Sequence, residues 1–290
     1  MSAGSPDKRV LMRNFNRAAA GYDQYAALQM LVLERLLEQL PVFRVQPGTI
    51  LDAGSGTGRA AKPLGRLYPR ATLVQLDIAE AMLKKTEKTR LRWFSKTRRV
   101  CADAEAMPLA DAAFDMVFSS LMLQWCPRAG VALAECARAL RPEGLFLFAT
   151  MGPLTLFELR ESWQQADGQA HVHSFADIHW LGDELVRCGF TQPVLESERV
   201  MLTYPDVRAV MLDLRRIGAV NSGSDRRRAL TGKNRYRRCL EHYEQFRAGG
   251  RLPATFEIIY GHAWRSRQSP ANGSQVMRFV SPEHLKGASE

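Results

Sequence analysis

The residues best suited to chemistry in this chain form a glycine-rich loop after a short apolar run. Residues 49–58 read Thr-Ile-Leu-Asp-Ala-Gly-Ser-Gly-Thr-Gly, so that an acid, Asp52, is followed by glycine at every second position, Gly54, Gly56 and Gly58. Glycine allows a ligand to come close to the backbone, and the pattern predicts a buried strand that ends in a ligand-binding loop. Read alone, the loop could also be a tight turn between a strand and a helix.

The spacing of the glycines narrows the class of ligand. A dinucleotide fingerprint has the spacing Gly-x-Gly-x-x-Gly, and a P-loop carries Lys-Ser/Thr after its last glycine. This loop has neither, since Arg59 and Ala60 follow Gly58. A pyrophosphate ligand is therefore disfavoured. Asp52 suits a ligand with cationic groups, such as an ammonium and a sulfonium, and so predicts S-adenosylmethionine.

Three later segments place further polar groups at the ends of predicted strands. Residues 71–77 end at Asp77, whose carboxylate could accept both hydroxyls of a ribose. Residues 99–103 end at Asp103, which could accept from an adenine amino group, and residues 114–120 form a fourth apolar strand. Taken singly, each acid could be a strand-end cap. Together they lie where an open α/β sheet binds its ligands, at the carboxyl ends of its strands.

With these four segments in order, the chain resembles the class I methyltransferases. The resemblance implies a Rossmann-like, seven-stranded, mostly parallel sheet with helices on both faces. It implies that the loop lines the methionine end of S-adenosylmethionine, that Asp77 holds the ribose and that Asp103 with Ala104 holds the adenine. The predicted cofactor-binding residues are Asp52, Gly54, Gly56, Gly58, Asp77, Asp103, Ala104 and Leu121.

The remaining elements divide the chain into four predicted regions. Strands and helices alternate from residue 49 to residue 151, which indicates a parallel sheet and predicts the cofactor-binding core. Residues 1–48 would form a helical arm, residues 152–265 substrate-side insertions with the last strands, and residues 266–290 a disordered tail. In the arm, Tyr22, Ala26 and Gln29 would share one helical face, either covering the cofactor mouth or capping the sheet.

Several segments give the resemblance a finer form. Tyr22-Asp23 with Gln29, residues 171–182, and residues 213–221 with 252–264 are similar to the malonyl-acyl carrier protein O-methyltransferases of biotin synthesis. The similarity runs from residue 10 to residue 265. It implies transfer of a methyl group from S-adenosylmethionine to the free carboxylate of a malonyl thioester on acyl carrier protein. A protein-arginine hydroxylase of the same fold, another small-molecule methyltransferase and a non-catalytic cofactor-binding module are the alternatives.

Such a reaction needs alignment and dehydration more than proton transfer. A carboxylate is already ionised at pH 7, so no general base is required. The attacking oxygen must lie about 3–3.5 Å from the methyl group, free of its water shell. Hydrogen-bonding or cationic side chains must therefore hold the malonyl group. The candidates beside the cofactor or above the site are Tyr22, Gln124, Trp125, Arg160, His171 and His173.

The charge of the chain predicts an acidic partner. The formal net charge is +10, and seven cations with no acid lie between Arg226 and Arg238. Acyl carrier protein is acidic and presents its phosphopantetheine arm from a negative helix, so this run is predicted to steer its docking; a solvated helix face is the alternative. The predicted partner-binding residues are Arg226, Arg227, Arg228, Arg235, Arg237 and Arg238.

Other classes of function are disfavoured by what the sequence lacks. It has no Asn/Asp-Pro-Pro-Tyr/Phe motif to hold a flipped base, so a nucleic-acid methyltransferase is the weaker alternative and no nucleic-acid partner is expected. No apolar run approaches the length of a membrane span, and the start has no signal-peptide core. The cysteines are scattered without metal-ligand spacing. A cytoplasmic enzyme without a metal is expected, and its oligomeric state is left open.

Overall fold

The computed structural model describes residues 7–87, 96–219 and 232–267. Within them lies one seven-stranded sheet of order β3-β2-β1-β4-β5-β7-β6. The pairs among β1 to β5 are parallel, whereas β7 is antiparallel to both β5 and β6. This is the mostly parallel sheet expected for a class I methyltransferase. The strands are β1 Thr49–Ala53, β2 Thr72–Asp77, β3 Lys96–Cys101, β4 Phe114–Ser120, β5 Leu140–Met151, β6 Phe190–Tyr204 and β7 Leu252–Arg265.

Helices cover both faces of the sheet, as the alternating pattern predicts. In β4, Met116 and Phe118 pack into one apolar cluster and Val117 into the other, because successive side chains of a strand point to opposite faces. Both faces are buried, which explains the continuous apolar run in this strand. The α-helices are α1 Lys8–Ala18, α2 Tyr22–Tyr25, α3 Ala27–Glu38, α4 Ala61–Leu67, α5 Glu80–Glu87, α6 Ala129–Ala139, α7 Phe157–Asp167, α8 Ile178–Arg187, α9 Val207–Arg216 and α10 Lys233–Glu244.

The amino-terminal arm consists of three helices with breaks between them. Asp7 caps α1 by accepting from the backbone N–H of Arg9 at 2.9 Å. The single helical face predicted for Tyr22, Ala26 and Gln29 is wrong in detail, because Ala26 has φ −88° and ψ 38° and separates α2 from α3. The arm is therefore interrupted at Ala26, and Tyr22 lies on a different helix from Gln29.

Two predictions fall on residues outside the described ranges. These are the disordered tail beyond residue 267 and the first half of the basic run, Arg226 to Arg228. The second half lies on α10, which packs on α7. Among the described residues, no helix has the length and apolar character needed to cross a bilayer.

Candidate active site

The glycine loop folds back over the end of β2. The backbone N–H groups of Gly54 and Ser55 both donate to the carbonyl of Leu76, at 2.8 and 2.9 Å. Gly54 has φ +77°, and a Cβ built there would lie 2.5 Å from the Cβ of Met122. Protein packing alone thus requires a glycine at this position.

Gly56 and Gly58 are glycines for different reasons. A Cβ at Gly58 would lie 2.6 Å from Thr86 Cγ2, whereas one at Gly56 would meet no protein atom within 4 Å. Gly56 has φ +53° and faces open space, and its N–H donates to Asp77 Oδ2 at 2.8 Å. Gly58 is therefore a packing residue, and Gly56 is the glycine that leaves room for a ligand.

Asp77 lies at the carboxyl end of β2 with its carboxylate held by the backbone. Its Oδ2 accepts from Gly56 N–H and its Oδ1 from Ala79 N–H, both at 2.8 Å. Burial raises the pKa of this carboxyl, and the backbone donors act in the opposite direction. A carboxylate has about four acceptor sites, so each oxygen can still accept from a ligand hydroxyl.

Asp52 is the acid in front of the glycines; Gln75 lies beside it, but one of its two oxygens has no hydrogen-bond partner within the described part of the chain. It is 2% exposed, and its Oδ2 accepts no hydrogen bond from the described residues. Burial, and secondly the charge of Asp77, raise the pKa of Asp52 to about 7. A buried carboxylate without a counter-charge is costly, so this site is complementary to a cationic ligand.

Asp103 follows β3 and is in contact with the arm. Its Oδ1 accepts from the N–H of Glu105 at 2.9 Å, and its Oδ2 forms an ion pair with Lys8 of α1. Lys8 also reaches Glu105 Oε2 at 2.7 Å. Ala104, between the two acids, is buried. The start of the arm is thereby tied to the adenine end of the predicted cofactor site.

These groups meet in one cavity, hereafter the first cavity. It is lined by every predicted cofactor residue except Gly58, whose predicted contact with the cofactor is replaced by its packing on Thr86. The arm supplies much of the remaining wall. Its lining residues from the arm are Lys8, Leu11, Phe15, Tyr22, Asp23, Ala26, Gln29, Met30 and Leu33.

A second cavity adjoins the first. Its wall is mainly apolar, with Met151, Trp163 and Phe256 among its residues. The two cavities share five residues, which we call the junction: Phe15, Tyr22, Gln29, Leu121 and Trp125. Groups bound in the two cavities can therefore meet at this junction.

Five of the six side chains predicted to hold the malonyl group line these cavities. Tyr22 and Trp125 belong to the junction, and Gln124 and His173 line the second cavity. Burial raises the pKa of Tyr22, as do Asp77 and Asp23, so its hydroxyl stays protonated and can donate. His173 has a buried Nε2 without a partner among the described residues. Burial lowers its pKa to about 4, so the imidazole is neutral at pH 7.

Arg160 is not brought to either cavity. It lies on α7, and its Nη2 donates to the carbonyl of Pro153 at 2.7 Å. The prediction that it holds the substrate is therefore corrected to a structural role in the turn before α7. His171, the other residue proposed from this region, does line the second cavity, where it stacks on Trp163 and pairs with Asp167 at 3.1 Å.

Sequence reasoning did not assign three residues of this site. Gln29, which the sequence placed on the arm face that could cover the cofactor mouth and in the family resemblance without a binding role, has a buried Oε1 without a described partner. Phe15 packs edge-on against Trp125, with ring centroids 5.3 Å apart. Arg215, at the end of α9, is the only Lys or Arg among the described residues that line the second cavity. No spacing in the sequence connects it with the glycine loop.

Comparisons with known proteins agree with this geometry. A family model described as a methyltransferase domain matches residues 51–148. Two relatives named malonyl-acyl carrier protein O-methyltransferase are each 46% identical: one from Gallionella capsiferriformans covers 89% of this chain and 91% of its own, and one from Laribacter hongkongensis covers 94% and 96%.

A solved structure shows the same fold at low identity. Phosphoethanolamine N-methyltransferase 2 of Haemonchus contortus, in complex with S-adenosylmethionine, superimposes with a TM-score of 0.54 at 16% identity. It covers 87% of this chain and 57% of its own. At this identity the likeness concerns the fold alone.

Proposed function

Because this chain belongs to the malonyl-acyl carrier protein O-methyltransferase family, we propose that it methylates the free carboxylate of a malonyl thioester carried by an acyl carrier protein. The methyl donor is S-adenosylmethionine. The observation that carries the proposal is the pair of cavities that meet at one junction. One has an unpaired acid for a cationic ligand, and the other is an apolar chamber for an acyl chain.

The residues of the first cavity fit the cofactor. When bound, S-adenosylmethionine supplies a methyl group that its sulfonium makes electrophilic. Asp52 would offer its unpaired carboxylate to the cationic end, and Gly56 would leave room along the loop. Asp77 would accept from the ribose hydroxyls, while Asp103 and Ala104 would lie along the adenine. These assignments rest on the unsatisfied atoms and the open space described above.

Neutral donors at and beside the junction would hold the malonyl carboxylate. Tyr22 is protonated and His173 is neutral, so each can donate one hydrogen bond without neutralising the anion. A carboxylate bound by neutral groups keeps more of its nucleophilic charge than one in a tight ion pair. The apolar wall around Trp125 and Met151 would exclude water from the attacking oxygen.

We also propose that the arginines of the basic run on α10 contribute to the docking of the acyl carrier protein. Arg237 and Arg238 are exposed on α10, and Arg235 is half-buried there. Arg237 has one weak ion pair, with Glu241 at 3.5 Å. Exposed cations of this kind act mainly on the rate of encounter with an acidic partner. The cytoplasmic location and the region boundaries expected from the sequence stay predictions.

The test is a labelling assay with competing acceptors. The purified protein is incubated with S-adenosylmethionine labelled in its methyl group and with malonyl-acyl carrier protein, malonyl-CoA or RNA. The proposal expects base-labile label on the malonyl thioester, and a Tyr22→Phe variant should lower kcat while it still binds the cofactor. Label on RNA alone, or none on either thioester, would contradict the proposal.

A further inference from the structure

A basic surface pocket lies between the arm and the end of α9. It is lined by Asn14, Arg17, Ala18, Gly21, Arg215, Arg216 and Gly218. Three of these residues are arginines, and no carboxylate from the described part of the chain lines the pocket. Concentrated like charge of this kind raises the electrostatic energy of the free protein and favours a bound anion. We call it the arginine pocket.

The fold holds this pocket in place by a close approach of two elements. Gly218 has φ +77°, and a Cβ there would lie 3.1 Å from the ring of Phe15 and 3.3 Å from the Cβ of Ala18. The end of α1 therefore packs directly against the turn after α9. Arg216 is held in turn by its guanidinium, 4.4 Å above the ring of Tyr25. The pocket is thus built from packed elements.

The three arginines are not neutralised within the described residues. Arg17, Arg215 and Arg216 are all exposed, and none forms an ion pair with a described Asp or Glu. Asp213, which precedes Arg215 and Arg216 on α9, accepts a hydrogen bond from the hydroxyl of Tyr204 at 2.7 Å. Guanidinium groups bind phosphate oxygens through two parallel hydrogen bonds, so three of them suit a phosphate ester.

The arginine pocket also lies beside the second cavity. Arg215 lines both the arginine pocket and the second cavity, and Gly21 of the pocket adjoins Tyr22 of the junction. The polar end of a substrate whose acyl end occupies the second cavity could therefore reach the arginine pocket past Arg215. On a phosphopantetheine arm, the group at that end is a phosphate ester.

We propose that the arginine pocket binds the phosphate of the phosphopantetheine arm that carries the malonyl thioester. The inference rests on the proposed function and deepens it by assigning a second anchoring point to the same substrate. The phosphate would be recognised whether the arm is attached to a carrier protein or forms part of coenzyme A. Because Asn14 and Gly21 of the arginine pocket adjoin Phe15 and Tyr22 of the junction in the chain, the phosphopantetheine arm would bend through the second cavity, with its phosphate and its carboxylate held on neighbouring sides of this wall.

The test compares two small thioesters that differ only in the phosphate. Malonyl-phosphopantetheine and malonyl-pantetheine are assayed with saturating S-adenosylmethionine. For the unchanged protein, kcat/KM should be at least about tenfold higher for the phosphorylated thioester, as expected when charged hydrogen bonds are gained. In an Arg17→Gln/Arg216→Gln variant this ratio should fall to about two or less. Arg9→Gln, an exposed position on α1 outside the pocket, is the matched control and should keep the ratio.

Each outcome decides between the hypotheses. A preference for the phosphate that the double variant retains, or no preference in the unchanged protein, would overturn the inference while leaving the proposed function intact. With malonyl-CoA and malonyl-acyl carrier protein, the double variant should lower kcat/KM for both. A loss confined to the carrier protein would mean that the arginines contact the protein surface, and the inference would be wrong. Absence of ester formation from every thioester would refute the proposed function itself.

Discussion

The buried carboxylate of Asp52 should make the unliganded protein less stable than it could be. Its pKa is raised from 3.8 to about 7, first by burial and then by Asp77, so the folded state binds this proton more tightly than the unfolded state does. The contribution of Asp52 to stability therefore falls as the pH rises from about 4 to about 7, and the full cost is present above pH 7. At 1.36 kcal/mol per pKa unit, that cost is about 4 kcal/mol.

The substitution Asp52→Asn removes this charge and keeps the shape of the side chain. Its amide would be buried beside Gln75, and a polar group of it left unsatisfied there costs about 1–3 kcal/mol, so the net gain at pH 8 should be at least about 1–3 kcal/mol. In a protein of this size that raises Tm by about 2–4 °C per kcal/mol. At pH 5 most of the gain should vanish, because Asp52 of the folded protein is then protonated. Thermal unfolding without cofactor at both pH values measures the difference.

The same substitution should weaken the binding of the cofactor. In the unchanged protein, the affinity for S-adenosylmethionine should increase as the pH rises toward 7, by up to about tenfold per pH unit, and should be constant above pH 7, because the cation favours the ionised form of Asp52. Asp52→Asn should bind more weakly and lose this pH dependence in calorimetry. Asp183→Asn, an exposed acid on α8, is the control and should change neither property. An Asp52→Asn protein that is less stable at pH 8, or that keeps the pH dependence, would refute the reasoning.

Further predictions concern the other groups of the site. Asp77→Ala should reduce the free energy of S-adenosylmethionine binding, measured by calorimetry, by about 1.5–3 kcal/mol, because charge-assisted hydrogen bonds are lost. Unchanged affinity would contradict the assignment of Asp77 to the ribose. Gly56→Val should abolish cofactor binding while circular dichroism shows an intact fold, since its side chain would enter open space and not protein; normal binding would mean that the loop is not the cofactor site. With saturating cofactor, kcat should be nearly constant from about pH 6 to 9, because the nucleophile is a carboxylate and His173 stays neutral; a bell-shaped profile would indicate a general base. Substitution of Arg226, Arg227 and Arg228 by Glu should lower kcat/KM for malonyl-acyl carrier protein more at low salt than at high salt, because charges are screened over about 10 Å at 0.1 M salt. The kcat/KM for a small malonyl thioester should stay nearly unchanged. Equal losses for both substrates would indicate a structural role for these arginines.

The cofactor loops were predictable because their signals are local. Each acid follows an apolar strand, and parallel strands bring their carboxyl ends to one edge of the sheet, so Asp52 and Asp77 could be placed together from the sequence alone. Which glycine faces the ligand could not be read in this way. Gly56 and Gly58 differ only in what a side chain would meet, and Thr86 is far away in the chain.

The substrate side was harder to predict because its residues meet only through packing. Arg160 was a reasonable cation for the malonyl group, but the rotation of α7 directs its guanidinium to Pro153. Arg215 and Phe15 are separated by most of the chain, and the turn at Gly218 brings them to one place. A sequence pattern shows which residues share one face of a helix, but the direction in which that face points depends on the whole fold.

The junction has a thermodynamic consequence for the two ligands. Phe15, Tyr22 and Gln29 of the arm, with Leu121 and Trp125, form a wall of both cavities at once. A ligand that orders these side chains from one side leaves less conformational entropy to be lost when the other ligand binds. Any coupling free energy is the same in both directions, so the factor by which the donor changes the affinity of the acceptor equals the factor by which the acceptor changes that of the donor. After the transfer the bound pair is the demethylated donor and the methyl ester, and the coupling between these two products is a separate quantity that is again the same in both directions.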